Sequence, residues 1–77
     1  MERIELIGKP GCHLCEDARA VIERVAADLG IAWVERSILE DEALFTRYAE
    51  KIPVTIVDGQ LHSVYRVEES ALRAALG

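Results

Sequence analysis

Cys12 and Cys15 are the only cysteines in the chain, set behind a proline and a glycine in the stretch KPGCHLCEDA, residues 9–18. If a helix starts here, positions i and i+3 share one face. Their Cα atoms would then lie about 5–6 Å apart, a span that an internal disulfide accepts. Exchange chemistry also needs a thiolate. A cysteine at the first turn of a helix meets unpaired backbone N–H groups and the positive end of the macrodipole, which together lower a thiol from its ordinary value near 8.5. Lys9 and a protonated His13 act in the same direction, while Glu16 and Asp17 oppose it. The expectation is a moderate depression at Cys12. Cys15, one turn deeper, is expected to be less exposed and to resolve a mixed disulfide formed at Cys12. Cys12 attacks and Cys15 resolves.

Other chemistries remain open at this level. A CxxC pair is half of a tetrahedral zinc or iron–sulfur ligand set. The chain has no second CxxC, and its only histidines are His13 and His62. A metal centre would therefore need a dimer or an external thiol. The pair could equally pack as two small hydrophobes, or sit in a binding scaffold without turnover. His13 either tunes the thiolate or is exposed loop, and Lys9 either meets a ligand or is a loop cation. His62 reads as a surface strand residue.

Composition narrows the setting. A chain of 77 residues is one domain, residues 1–77, with no room for a second. An apolar fraction of 51% with 30% charged residues fits a folded chain rather than a disordered one. The net charge of −5, with no basic run, argues against nucleic acid as partner. No stretch approaches the ~20 apolar residues of a membrane span, and none resembles a signal-peptide core. Two cysteines are also too few for a secreted disulfide scaffold. The expectation is a cytoplasmic monomer that meets neither nucleic acid nor membrane.

The positioning elements follow from periodicity. RIELIG (3–8) reads as a strand, with Ile4 and Leu6 on one face and Glu5 and Ile7 on the other. Leu14, Ala18, Val21, Ile22, Val25 and Leu29 recur at helical spacing, and Gly30 supplies the stop. IAWVERSI (31–38), apolar on both faces in its first half, reads as an inner strand of a doubly covered sheet. EDEALFTRYAEK has an acidic start suited to a helix N-terminus, with Leu44, Phe45, Tyr48 and Ala49 on one face. Trp33, Phe45 and Tyr48 read as core. Ile52-Pro53 ends that helix. VTIV (54–57), Asp58-Gly59 and QLHSVYRV (60–67) read as a hairpin. EESALRAALG closes the chain as a helix, with Leu72, Ala75 and Leu76 inward. The order β-α-β-α-β-β-α is most simply a four-stranded mixed sheet with helices on both faces.

KPGCHLCEDA after a first strand, KIPVTIVDG before a hairpin, and this element order together resemble the glutaredoxin branch of the thioredoxin-like fold. The Cys-His-Leu-Cys form is similar to short bacterial glutaredoxin-like proteins. The resemblance covers nearly the whole chain. It implies a thiol–disulfide oxidoreductase cycling Cys12 and Cys15, acting on a protein or low-molecular-weight disulfide. It further implies a cis bond before Pro53, an Ile52 main chain turned toward an extended thiol substrate, and Lys9 as a contact to glutathione. His13 would join Lys9, Ile52 and Pro53 in binding substrate. No tightly bound cofactor is implied, and glutathione is the candidate reductant. The family's Gly-Gly pair before the last helix is absent, with Arg66-Val67-Glu68-Glu69 in that neighbourhood.

Overall fold

The central strand is the first in the chain. In the computed structural model, which describes residues 2–77, Glu2–Gly8 forms β1. Ile4 and Leu6 point to one face of the sheet and Ile7 to the other, and all three are buried. The remaining elements follow as α1 (His13–Leu29), β2 (Ala32–Ser37), α2 (Glu42–Tyr48), β3 (Val54–Val57), β4 (Gln60–Val64) and α3 (Glu69–Leu76). The sheet order is β2-β1-β3-β4. β1 pairs parallel with β2 and antiparallel with β3, and β3 pairs antiparallel with β4.

Each face of the sheet carries its own core. Ile4, Leu6 and Val57 pack with Ala18, Ile22 and Val25 of α1 and with Leu72 and Leu76 of α3. On the opposite face Ile7, Ile38 and Val54 meet Leu44, Tyr48 and Ala49 from α2 and its end. The strand alternation of β1 is what divides these two layers. No helix among the described residues is long and apolar enough to cross a membrane.

Local signals set the boundaries. Gly30 adopts the left-handed conformation that ends α1, and the Ile31 N–H returns to the Ala26 carbonyl. Asp41 caps α2 by accepting from the Ala43 N–H at 2.8 Å. Asp58 and Gly59 both have positive φ, 51° and 81°, as a two-residue hairpin turn of this kind requires. Arg3 grips the Asp58 carboxylate with two hydrogen bonds of 2.9 and 2.8 Å, fastening that turn to β1.

Four expectations are corrected. β2 is an edge strand, paired only with β1, and its charged Glu35 and Arg36 suit an unpaired edge. Leu14 and Leu29 are exposed, because the inward stripe of α1 is Cys15, Ala18, Ile22, Val25 and Ala26. Phe45 is also exposed: α2 has only two turns, and its contact side is filled by Leu44 and Tyr48. In α3 Leu72 and Leu76 turn inward and Ala75 does not. In addition, β4 stops at Val64, three residues short of the expected Val67, because Tyr65 takes a left-handed turn.

Candidate redox site

The loop from Lys9 to Gly11 carries the chain from the end of β1 to the start of α1. Gly11, at φ 74°, makes the turn possible. Cys12 then stands as the N-cap of α1 in an extended conformation. Its Sγ accepts the Cys15 N–H at 3.2 Å, and its carbonyl accepts the Glu16 N–H at 3.1 Å. The sulfur thus occupies the place that a serine or aspartate oxygen takes in an ordinary cap. An N–H that the helix itself leaves unpaired is aimed at it.

Cys12 and Cys15 form a disulfide, with Cα atoms 5.2 Å apart. The two ends of the bond differ in access. Cys12 is half-buried, whereas Cys15 is 0% exposed and belongs to the buried face of α1. Its Sγ lies so close to the backbone of Gly8 that a Cβ at position 8 would approach it to 2.7 Å. A thiol arriving from solvent would therefore meet Cys12.

The other expected site residues surround this bond to differing degrees. His13, the first residue of α1, and Lys9 are both exposed. Among the described residues Lys9 makes no ion pair, whereas Arg19 is held by Glu35 and Arg36 by Glu5. Arg19, Glu35 and Arg36 rim a shallow depression of about 320 Å³ together with Lys9, Pro10, Ser37 and Glu40. The Ile52–Pro53 bond is cis, Pro53 is buried and Ile52 is half-buried. Ile7 pairs with Val54, so antiparallel register brings Pro53 beside the Gly8 end of β1, where the loop to Cys12 departs. The Pro53 carbonyl accepts the Tyr65 N–H at 2.7 Å, while Ile52 has no backbone partner among the described residues.

Gly8 and Tyr65 are two residues of this neighbourhood that sequence reasoning did not single out. Gly8 carried a usable signal, since a glycine in a strand marks close approach of another group. Nothing in the run Val-Tyr-Arg announces a left-handed tyrosine.

A larger concavity, about 1000 Å³, lies elsewhere. It is an open groove between α2 and the sheet, bordered by Ile7, Leu44, Tyr48 and Ile56, and neither cysteine nor histidine reaches it. No cluster of three or more histidine, cysteine, aspartate or glutamate side chains suited to a metal ion occurs among the described residues.

A four-stranded mixed sheet in this order, flanked by helices on both faces and carrying a paired CxxC at a helix start, is the thioredoxin-like fold. Within it, the chain belongs to the Glutaredoxin-like domain family (DUF836), whose profile matches residues 3–77. An uncharacterized protein of Mycobacterium tuberculosis is 25% identical over 77 residues, covering 94% of this chain and 79% of its own length. A structural-genomics target protein from X. campestris superposes with a TM-score of 0.77 at 26% identity, over 95% of this chain and 93% of that one. A glutaredoxin from Archaeoglobus fulgidus shares the fold, with a TM-score of 0.66 at 14% identity over 99% and 87% of the two chains.

Proposed function

We propose that the protein is a thiol–disulfide oxidoreductase whose working group is the Cys12/Cys15 pair. The observation that carries this reading is the cap geometry, with the Cys12 sulfur accepting a helix N–H while it is paired with Cys15. A group that receives such a bond is favoured in its anionic form. In the reduced protein the Cys12 thiolate attacks one sulfur of a substrate disulfide. A mixed disulfide forms at Cys12, and the first substrate thiolate leaves. Cys15, its proton lost to solvent, then attacks the Cys12 sulfur, closes the internal bond and expels the second substrate thiol. Two electrons pass from the dithiol to the substrate. An external thiol, glutathione or a protein dithiol, returns them.

Substrate contacts follow from the same end of the sheet. Ile52, with its N–H and carbonyl not engaged by other backbone groups, is suited to pair with an extended segment beside the disulfide. Lys9 and His13 are exposed on the approach to Cys12, and either can meet a carboxylate. The proposed setting is the cytoplasm, where a reducing thiol pool keeps such a pair cycling.

The test is to equilibrate the protein in graded glutathione buffers, trap free thiols by alkylation and weigh the products. Conversion between a dithiol and an internal disulfide as the buffer becomes more oxidising supports the reading. A protein that keeps two free thiols in every buffer contradicts it. So does bound zinc or iron that blocks both sulfurs and is lost in Cys12→Ser.

A further inference from the structure

Among the described residues two non-glycine residues have left-handed backbones, Asp58 and Tyr65. Asp58 is accounted for by the hairpin turn. Tyr65, at φ 67°, is the centre of a tight three-residue turn closed by the Arg66 N–H to the Val64 carbonyl at 2.7 Å, a conformation that a bulky side chain disfavours. Two further hydrogen bonds, both to a single segment, fasten this turn to its surroundings. The Tyr65 N–H donates to the Pro53 carbonyl at 2.7 Å, and its phenolic OH donates to the Glu50 carbonyl at 2.9 Å. One residue thus clasps both ends of Glu50–Pro53, while Ile52 between them keeps its own backbone groups open. The Tyr65 ring is half exposed and shares a cleft with Leu14, the residue just before Cys15.

A chain reversal alone would favour glycine at position 65, which takes positive φ without penalty. Glycine would still donate its N–H to Pro53. Beyond the ring that lines the cleft with Leu14, the phenol adds the bond to Glu50, and that bond is where the specific role resides. We propose that Tyr65 is a positioning residue for disulfide exchange, holding the Ile52 main chain ready to pair with a polypeptide substrate whose disulfide engages Cys12. This rests on the oxidoreductase reading. The substrate class it names is an extended peptide disulfide. A small disulfide has no main chain to align and gains nothing from the clasp.

The experiment uses the pre-reduced protein and two probes that release the same chromophore. One is a short peptide whose cysteine is capped as a mixed disulfide with nitrothiobenzoate; the other is dithiobis(nitrobenzoate). With each, the protein dithiol becomes the internal disulfide as the probe bond is reduced. Rates are followed against probe concentration for the wild type, Tyr65→Phe and Tyr65→Gly. Tyr65→Phe keeps the ring and loses only the bond to Glu50. It is expected to raise the half-saturating concentration of the peptide probe about 2–10-fold, the worth of one hydrogen bond, with the limiting rate unchanged. Both variants should react with the small disulfide as the wild type does. Tyr65→Gly should match or exceed the peptide defect of Tyr65→Phe while keeping a folded circular dichroism spectrum. An unchanged peptide half-saturation in both variants, or equal loss with the two probes, overturns the role of Tyr65 alone. A wild type inert toward both probes overturns the oxidoreductase reading, and this role falls with it.

Discussion

Gly8 and Cys15 touch: a methyl group on Gly8 would stand 2.7 Å from the Cys15 sulfur and 3.2 Å from its Cβ. The last residue of β1 is therefore bare where the first turn of α1 presses on the sheet. This contact keeps Cys15 out of solvent and leaves Cys12 as the accessible end of the bond. The asymmetry between an attacking and a resolving sulfur is thus a packing result, built from one missing side chain.

Gly8→Ala should consequently overpack the site. The neighbour is a short side chain in the buried face of α1, so it has little room to yield. A loss of about 1–3 kcal/mol is expected on urea unfolding of the reduced protein. Removing the sulfur should relieve the clash, so that Gly8→Ala costs less in a Cys15→Ala background. Strict additivity of the two changes would show that they do not share a contact.

Thr55 is 0% exposed and sits opposite Ser63 in the β3–β4 ladder, and neither hydroxyl has a hydrogen-bond partner among the described residues. A buried hydroxyl without a partner opposes folding. Thr55→Val keeps the branched shape that suits a strand and deletes the polar atom. The variant is expected to gain up to about 1 kcal/mol in thermal or urea unfolding. A loss of similar size would mean that the hydroxyl is satisfied in solution.

Acid should weaken the ties between elements. The Asp58 carboxyl is held below its ordinary value first by its hydrogen bond from Arg3. Glu69 is held down by a hydrogen bond from Arg24, which links α3 to α1, and then by one from Arg73 within α3. A carboxylate whose folded pKa is depressed adds stability above its unfolded value, and that stability is lost as pH falls through the folded value. Melting temperature should therefore drop below about pH 4, where unfolded carboxylates titrate. Asp58→Asn and Glu69→Gln together should flatten that fall. These pairs are solvent-exposed, so the same dependence should weaken in high salt.

The sequence carried the elements further than it carried their environments. β1, the CxxC helix with its Gly30 stop, and the Asp58-Gly59 hairpin were legible because each rests on a local signal such as periodicity, a cap or a turn dipeptide. β2 reads as an inner strand because Ile31, Trp33 and Val34 look alike whether covered by a strand or by helices. Its neighbours are decided by the whole topology. Leu14 and Leu29 fit a helical stripe as well as Cys15 and Ala26 do, and only contact with Gly8 and the sheet selects the buried set. At the site, Cys12 and Cys15 were visible from type and spacing. The clasp made by Tyr65 joins residues 12 and 15 positions apart through backbone carbonyls, which no side-chain pattern encodes.

Disulfide exchange at this site requires ionisation of Cys12, which the pH dependence of its alkylation reports. In Cys15→Ser, the rate of modification of the single remaining thiol by iodoacetamide should reach half its maximum below the ~8.5 of an unperturbed cysteine. The matching Cys12→Ser protein should react at least about tenfold more slowly, because the Cys15 sulfur is buried. A half-point for Cys12 at or above the free-thiol value, with no difference in rate between the two variants, would contradict the account.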